Sequence, residues 1–210
     1  MELEFEPIIL SKAPELKVGV VADTHVPDRA NALHPGLVAA LEAQAVDAIF
    51  HLGDICTPSV LKTLREIAPV YAVRGNRDIF YGEALPRMLR LEVNGVSTVL
   101  LHGQGELADY ALDKWFYLRS GYVFERYEEV LLKLTAETDR VIVFGHTHRP
   151  EACWREGRFY FNPGAASNPG VRKLKPSFGV LWYDLGGCVD GKIILLEGAQ
   201  LNRRRWQRNE

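Results

Sequence analysis

The sequence predicts a mixed α/β fold, on three observations. Short β-branched runs end repeatedly in glycine or a polar cluster, several of them lead into segments with one apolar helical face, and two-residue turns mark antiparallel pairs among them. This reading yields about eight or nine strands. The 210 residues, 47% of them hydrophobic, are enough chain for a sizeable core. Residues 1–210 read as a single domain, without an internal repeat, linker or low-complexity block.

The elements follow in order. Lys17 to Ala22 is an apolar run too short for a helix, so it is a strand buried on both faces, and it delivers the chain to Asp23. Leu33 to Ala45 places Leu33, Leu37, Val38 and Leu41 on one helical face, with Pro35 in the first turn. Val46 to Leu52 is a second strand. Thr57 and Pro58 start a helix over Pro58 to Ala68, and Pro69 stops it. Val70 to Arg74 is a third strand. Leu89 to Val93 and Val96 to His102 flank Asn94-Gly95, the strongest short hairpin signal. Glu106 to Thr135 is polar and aromatic, read as two helices broken around Gly121, and leads into the buried strand Val141 to Phe144. Glu151 to Arg155 and Arg158 to Asn162 form a second hairpin about Glu156-Gly157. Phe178 to Asp184 and Lys192 to Leu196 complete the strands.

Composition excludes several classes. Twenty-five basic against 27 acidic residues give a formal net charge of -2, not the cationic excess of a chain that coats nucleic acid or an acidic membrane. Cys56, Cys153 and Cys188 are far apart and form no Cys-x-x-Cys pair, so neither a disulfide framework nor a thiolate zinc site is indicated. Glu2, Glu4 and Glu6 stand where an export signal needs positive charge, and no apolar run approaches the ~20 residues that span a bilayer. The expectation is a soluble cytoplasmic protein with no membrane partner.

Residues with metal-ligand chemistry recur directly after the strands. Asp23-Thr24-His25 follows the first, Gly53-Asp54 the second, Gly75-Asn76-Arg77-Asp78 the third, His102-Gly103 the hairpin, and Gly145-His146-Thr147-His148 the strand at Val141. Any one of these is an ordinary solvated loop residue. Together they place four of the six histidines at successive strand ends, where loops leaving neighbouring strands share one edge. A spacing of two in Asp23/His25 and His146/His148 points both side chains of each pair to one side if the segment is extended. His34 and His51 lack this context and read as surface or core, with His51 a neighbour that could support Asp54.

In this order the blocks D-x-H, G-D, G-N-x-D/E, H-G and G-H-x-H resemble the calcineurin-like metallophosphoesterase superfamily, from about Lys17 to Asp184. The compact phosphodiesterase branch is the nearest likeness, through Val26-Pro27-Asp28-Arg29-Ala30 after the first block and the late Asn162-Pro163-Gly164 turn. The resemblance implies a four-layer α-β-β-α sandwich with two mixed sheets. It also implies two divalent transition-metal ions, with manganese the first choice and iron, zinc, cobalt or nickel the alternatives. Asp23, His25, Asp54 and His148 would bind one; Asp54, Asn76, His102 and His146 the other. The implied reaction is in-line hydrolysis of a small phosphate-ester substrate by a metal-bound hydroxide, with Asp54, Asn76 and Arg77 as catalytic residues. Asn76, Arg77 and Arg29 would meet the substrate, and Asp78 and His51 would support the ligands.

Two departures shape the reading. Arg77 stands where larger phosphatases of the superfamily carry a histidine that serves as acid for the leaving oxygen. Arginine stays charged and is a poor proton donor, so diesters and good leaving groups are expected over unactivated monoesters. A surface ion pair with Asp78 is the plainer role for Arg77. The second departure is a helical, aromatic-rich insertion at about 105–135, with Tyr110, Trp115, Phe116, Tyr117, Tyr122, Phe124 and Tyr127. It is expected either to cover the metal site or to build an interface of a homo-oligomer. The basic C-terminal stretch Arg203-Arg204-Arg205-Trp206-Gln207-Arg208 reads as a solvated tail or oligomer contact, so nucleic acid is not indicated. A G-x-G-x-x-A match begins at Gly103, but it follows an antiparallel hairpin rather than opening a βαβ unit. The competing class is a protein-binding scaffold on the same fold, as in the small subunit of the retromer complex.

Overall fold

The computed structural model describes residues 7–78, 85–105, 121–170 and 174–208. Within these, the elements are β1 (Ile8–Leu10), β2 (Glu15–Val21), α1 (Leu37–Gln44), β3 (Ala48–His51), α2 (Pro58–Arg65), β4 (Val70–Ala72), β5 (Met88–Val93) and β6 (Val96–Leu101). They continue with α3 (Phe124–Leu134), β7 (Val141–Phe144), β8 (Glu151–Arg155), β9 (Arg158–Asn162), β10 (Ser177–Asp184), β11 (Val189–Leu195), β12 (Ala199–Asn202) and β13 (Arg205–Arg208). One sheet has the order β1-β5-β6-β7-β9-β8 and the other β11-β10-β2-β3-β4. Both are mixed: β2, β3 and β4 run parallel, as do β6, β7 and β9, with antiparallel neighbours outside them.

Period-two patterning explains the layering. Val18, Val20 and Ala22 from one sheet meet Leu100, Val141, Val143 and Phe161 from the other in the core between the sheets. Val21 and Ile49 turn the opposite way and pack beneath α1 and α2 with Leu37, Leu41, Val60, Leu61 and Leu64. On the far side, Val99, Ile142, Phe144 and Tyr160 pack against Phe124, Tyr127 and Leu131 of α3. Helices outside and two sheets inside form the α-β-β-α sandwich expected from the resemblance. Each fully buried Val or Leu contributes about 1.5–3 kcal/mol.

Both predicted hairpins form, with Asn94 and Gly95 at φ 45° and 78° and Glu156 and Gly157 at 46° and 79°. The first helix begins later than its apolar spacing predicts, at Leu37 instead of Leu33. Residues 31–34 are instead held by the C-terminal stretch. Asn31 N donates to Arg204 O (2.7 Å), Trp206 Nε1 donates to Ala32 O (2.8 Å), and the Trp206 ring stands edge-on to His34. That stretch is therefore no free tail: β12 and β13 form a hairpin, and Arg204 also donates to Pro27 O. Strand β1 was too short to read, and it pairs in parallel with β5.

Of the expected aromatic insertion, residues 106–120 lie outside the described residues, with Tyr110, Trp115, Phe116 and Tyr117 among them. Its later part is α3, whose apolar face is an outer layer of the sandwich. Among the described residues no helix is long and apolar enough to cross a membrane.

Candidate metal centre

The carboxyl ends of β2, β3, β4, β6 and β7 open onto one edge of the sandwich. Loops meet there because small residues let them. Gly53 has φ 87°, and a Cβ on it would lie 2.5 Å from Gly75 N; a Cβ on Gly75 would lie 2.2 Å from Asp54 N and Oδ1. Hydrogen bonds lock the contact: Asp23 N to Gly53 O (3.1 Å), His25 N to Asp54 O (2.9 Å) and Gly145 N to His102 O (3.2 Å).

Asp23, His25, Asp54, His146 and His148 all sit in the left-handed region, at φ between 48° and 67°. The shared direction of each i, i+2 pair thus does not come from extended backbone, as the spacing argument assumed. Each such residue costs about 1–3 kcal/mol unless its surroundings hold it. Ser167 Oγ donates to Asp23 O (2.8 Å), and Asn162 Nδ2 donates to Gly145 O (2.8 Å) and Thr147 Oγ1 (3.1 Å). The Asn-Pro-Gly turn therefore braces the G-H-x-H loop, a role sequence reading left unassigned. Ser167 had no sequence signal.

Two buried groups form around Asp54. In the first, Asp23, His25 and His148 bring ligand atoms within 4.8 Å of one another. His148 Nε2 is 3.2 Å from both Asp23 Oδ1 and His25 Nε2. In the second, Asp23, Asp54 and His102 do the same. Asn76 Oδ1 lies 3.1 Å from His102 Nε2, and the His146 ring centroid is 5.1 Å from that of His102. Asp54 reaches both, with Oδ2 3.7 Å from His25 Nε2 and Oδ1 3.5 Å from His102 Nε2.

Proton accounting shows that these groups suit cations. His102 Nδ1 lies 2.6 Å from Leu52 O and His148 Nδ1 lies 2.9 Å from Pro169 O. A carbonyl only accepts, so each Nδ1 carries the hydrogen, and in the neutral ring Nε2 presents a lone pair. Those lone pairs face other acceptors: Asn76 Oδ1 in one case, Asp23 Oδ1 in the other. Asp23 Oδ1 is buried and accepts no hydrogen bond. Carboxylate oxygens and ring nitrogens converging this closely are what a divalent ion satisfies, and the mixed oxygen and imidazole set fits one.

The electrostatics agree. Burial pushes the His25 and His146 imidazoles down to about 3, keeping them neutral. Burial alone would raise the Asp23 carboxyl, but its interaction with His148, first by charge and then by hydrogen bonding, outweighs that and holds it well below the usual carboxylate range. In return, burial lowers His148 but Asp23 raises it overall, so with no cation bound the two share a proton-stabilised contact. Burial raises Asp54, with the Asp23 charge adding to it.

The remaining predicted residues surround the centre. Asp78 is buried and accepts from Ile55 N (2.9 Å), Cys56 N (2.8 Å) and Gly75 N (2.8 Å), tying the Asp54 and Asn76 loops together. It is not the partner of Arg77. The Arg77 guanidinium pairs with Asp28, while its backbone N–H donates to Asp54 Oδ1 (2.8 Å). Arg29 Nη1 lies 3.4 Å from His148 Nδ1. His51 supports Thr24 in the D-x-H loop rather than Asp54: its Nε2 is 3.3 Å from Thr24 Oγ1, whose hydroxyl donates to Ile55 O. Burial holds this ring down to about 4. The cysteine spacing indicates no thiolate zinc site, yet the structure brings Cys56 Sγ within 4.8 Å of ligand atoms of His25 and Asp28.

With five motif-bearing loops on one sandwich edge, the chain belongs to the calcineurin-like phosphoesterase superfamily, whose domain model matches residues 16–185. Among relatives, a probable metallophosphoesterase of Methanothermobacter thermautotrophicus is 34% identical, over 84% of this chain and 91% of its own. One from Methanocaldococcus jannaschii is 30% identical, over 86% and 81%. Among solved structures, vacuolar protein sorting 29 of Entamoeba histolytica in complex with Zn2+ superposes with a TM-score of 0.62 at 22% identity, over 86% of this chain and 99% of that one. This last likeness concerns the fold.

Proposed function

We propose that the chain is a dinuclear metal-dependent phosphoric ester hydrolase that prefers phosphodiesters to unactivated monoesters. The observation that carries this reading is the convergence of buried acceptors on two sides of Asp54. Asp23, His25, Asp54 and His148 would hold one ion, and Asp54, Asn76, His102 and His146 the other. When bound, two such ions would supply Lewis acidity toward phosphoryl oxygens and lower the pKa of a bound water.

The chain's own residues do the rest. Asp54 directs one carboxylate oxygen to each group. Asn76 turns its amide oxygen to the centre and keeps its N–H pair for a phosphoryl oxygen. Arg77 and Arg29 bring permanent positive charge to the rim and stabilise the anion. Neither can protonate a leaving alkoxide, which is why esters with good leaving groups are favoured. A net charge of -2 is no obstacle to an anionic substrate, since bound cations reverse the local sign.

The test pairs a chromogenic phosphodiester with the matching monoester, using protein reloaded with manganese. The expected kcat/KM is higher for the diester, and Asp54→Ala loses at least about a hundredfold. Equal or better monoester turnover overturns the preference; full activity of the variant overturns the site. The likeness to vacuolar protein sorting 29 favours one second reading, a protein-binding scaffold, under which the manganese-loaded chain hydrolyses neither ester.

A further inference from the structure

His25 departs from the pattern of His102 and His148. His102 and His148 each place Nδ1 on a backbone carbonyl, at 2.6 and 2.9 Å, and so fix the ring with Nε2 toward the centre. His25 also turns Nε2 toward the centre, 3.2 Å from His148 Nε2. Its Nδ1 is buried and has no hydrogen-bond partner, although the ring is wholly excluded from solvent. An unpartnered N–H there costs about 1–3 kcal/mol. What Nδ1 faces is not a carbonyl but a carboxylate: Asp28 Oδ2, 3.9 Å away. The same oxygen is paired with the Arg77 guanidinium.

We propose that Asp28 is the positioning residue of His25. Its carboxylate accepts the Nδ1–H of His25 in the metal-loaded protein and presents Nε2 to the centre, and Arg77 holds that carboxylate at the rim until the ring is engaged. The separation exceeds a hydrogen bond by about 1 Å, which a side-chain adjustment of Asp28 covers because that side chain is 38% exposed. A metal-ligating histidine characteristically donates its other N–H, and a carboxylate acceptor raises the basicity of the ring. The consequence is an asymmetric centre: the group at His25 is backed by a charge, while His102 and His148 are backed by neutral carbonyls. It also links the two ends of the site, since an oxygen given to His25 is one withdrawn from Arg77, whose charge then turns to the substrate phosphate. Cys56 Sγ also lies within 4.8 Å of an Asp28 carboxylate oxygen, but its thiol is pushed up to about 12 by burial and the nearby carboxylates, so it stays protonated.

The inference rests on the metal-centre reading, and the experiment separates the two. Metal-free full-length wild type, Asp28→Asn, Asp28→Ala and Arg77→Ala are titrated with Zn2+ in competition with a chelator. The zinc-loaded proteins are then examined by long-range 1H–15N spectroscopy of the imidazoles. Wild type should bind two ions and show a protonated His25 Nδ1. Asp28→Ala should weaken one site by about 10–100-fold, leave the other at its wild-type affinity and shift the His25 Nδ1 resonance. Asp28→Asn should fall between, because an amide oxygen accepts the N–H without the charge. Arg77→Ala should bind at that site at least as tightly as wild type, having lost the competitor for Oδ2. Unchanged affinity at both sites in both Asp28 variants, or equal weakening of both sites, overturns the role of Asp28 and leaves the metal centre standing. A wild type that binds no Zn2+ overturns both.

Discussion

Individual residues carry the centre through what they cannot avoid. Gly75 is the sharpest case. Its Cβ would lie 2.2 Å from atoms of Asp54, so Gly75→Ala should push the Asp54 loop away, and the loss of bound metal at both groups measures it. Asp78 acts without facing the centre. Asp78→Ala leaves the N–H groups of Ile55, Cys56 and Gly75 without their acceptor. At about 1 kcal/mol or more for each this should lower the thermal midpoint by roughly 6–12 °C, while Lys62→Ala on the exposed face of α2 should not. At this scale the candidate ligands were legible because their residue types recur directly after five of the strands. Their conformation was not, because spacing reports periodicity and not φ: Asp23, His25, His146 and His148 converge through left-handed backbone that only the contacts around them stabilise. The roles of Asn162 and Ser167 were hidden for the same reason, since each acts through a backbone group distant in sequence.

Elements show where local pattern suffices and where it stops. Strands β2, β3 and β7 and both tight hairpins were readable because burial on two faces and φ > 0 turns leave local signatures. The C-terminal hairpin was not. A run of arginines reads as a solvated face, yet Trp206 within it is anchored on Ala32 and His34 and pins the segment that follows the D-x-H loop. It lies beyond residues 16–185, which the family domain model matches. Trp206→Ala should cost about 1–3 kcal/mol in chemical denaturation, and it should weaken metal binding more on the His25 side than on the His102 side. Helix α3 behaves as a packed layer, and Tyr127 extends its influence by donating to Gly103 O (2.6 Å), beside His102. Leu131→Ala, at a fully buried position, should cost about 2–5 kcal/mol.

At the scale of the whole molecule, two sheets place their parallel carboxyl ends on one edge, and that edge collects buried carboxylate oxygens and imidazole nitrogens within 4.8 Å of one another. The fold's stability and its chemistry are therefore linked through cations. Ions that bind the folded chain alone stabilise it by about 2.7 kcal/mol at a hundred times their Kd, so chelation should lower the thermal midpoint and re-addition should restore it. Asp54 has to serve both groups at once for two ions to be held. Metal stoichiometry by mass spectrometry of the inductively coupled plasma type, on wild type and Asp54→Ala reloaded with manganese, tests that most directly. We expect two ions per wild-type chain and at most one in the variant; one ion or none in the wild type, or two in the variant, would contradict it.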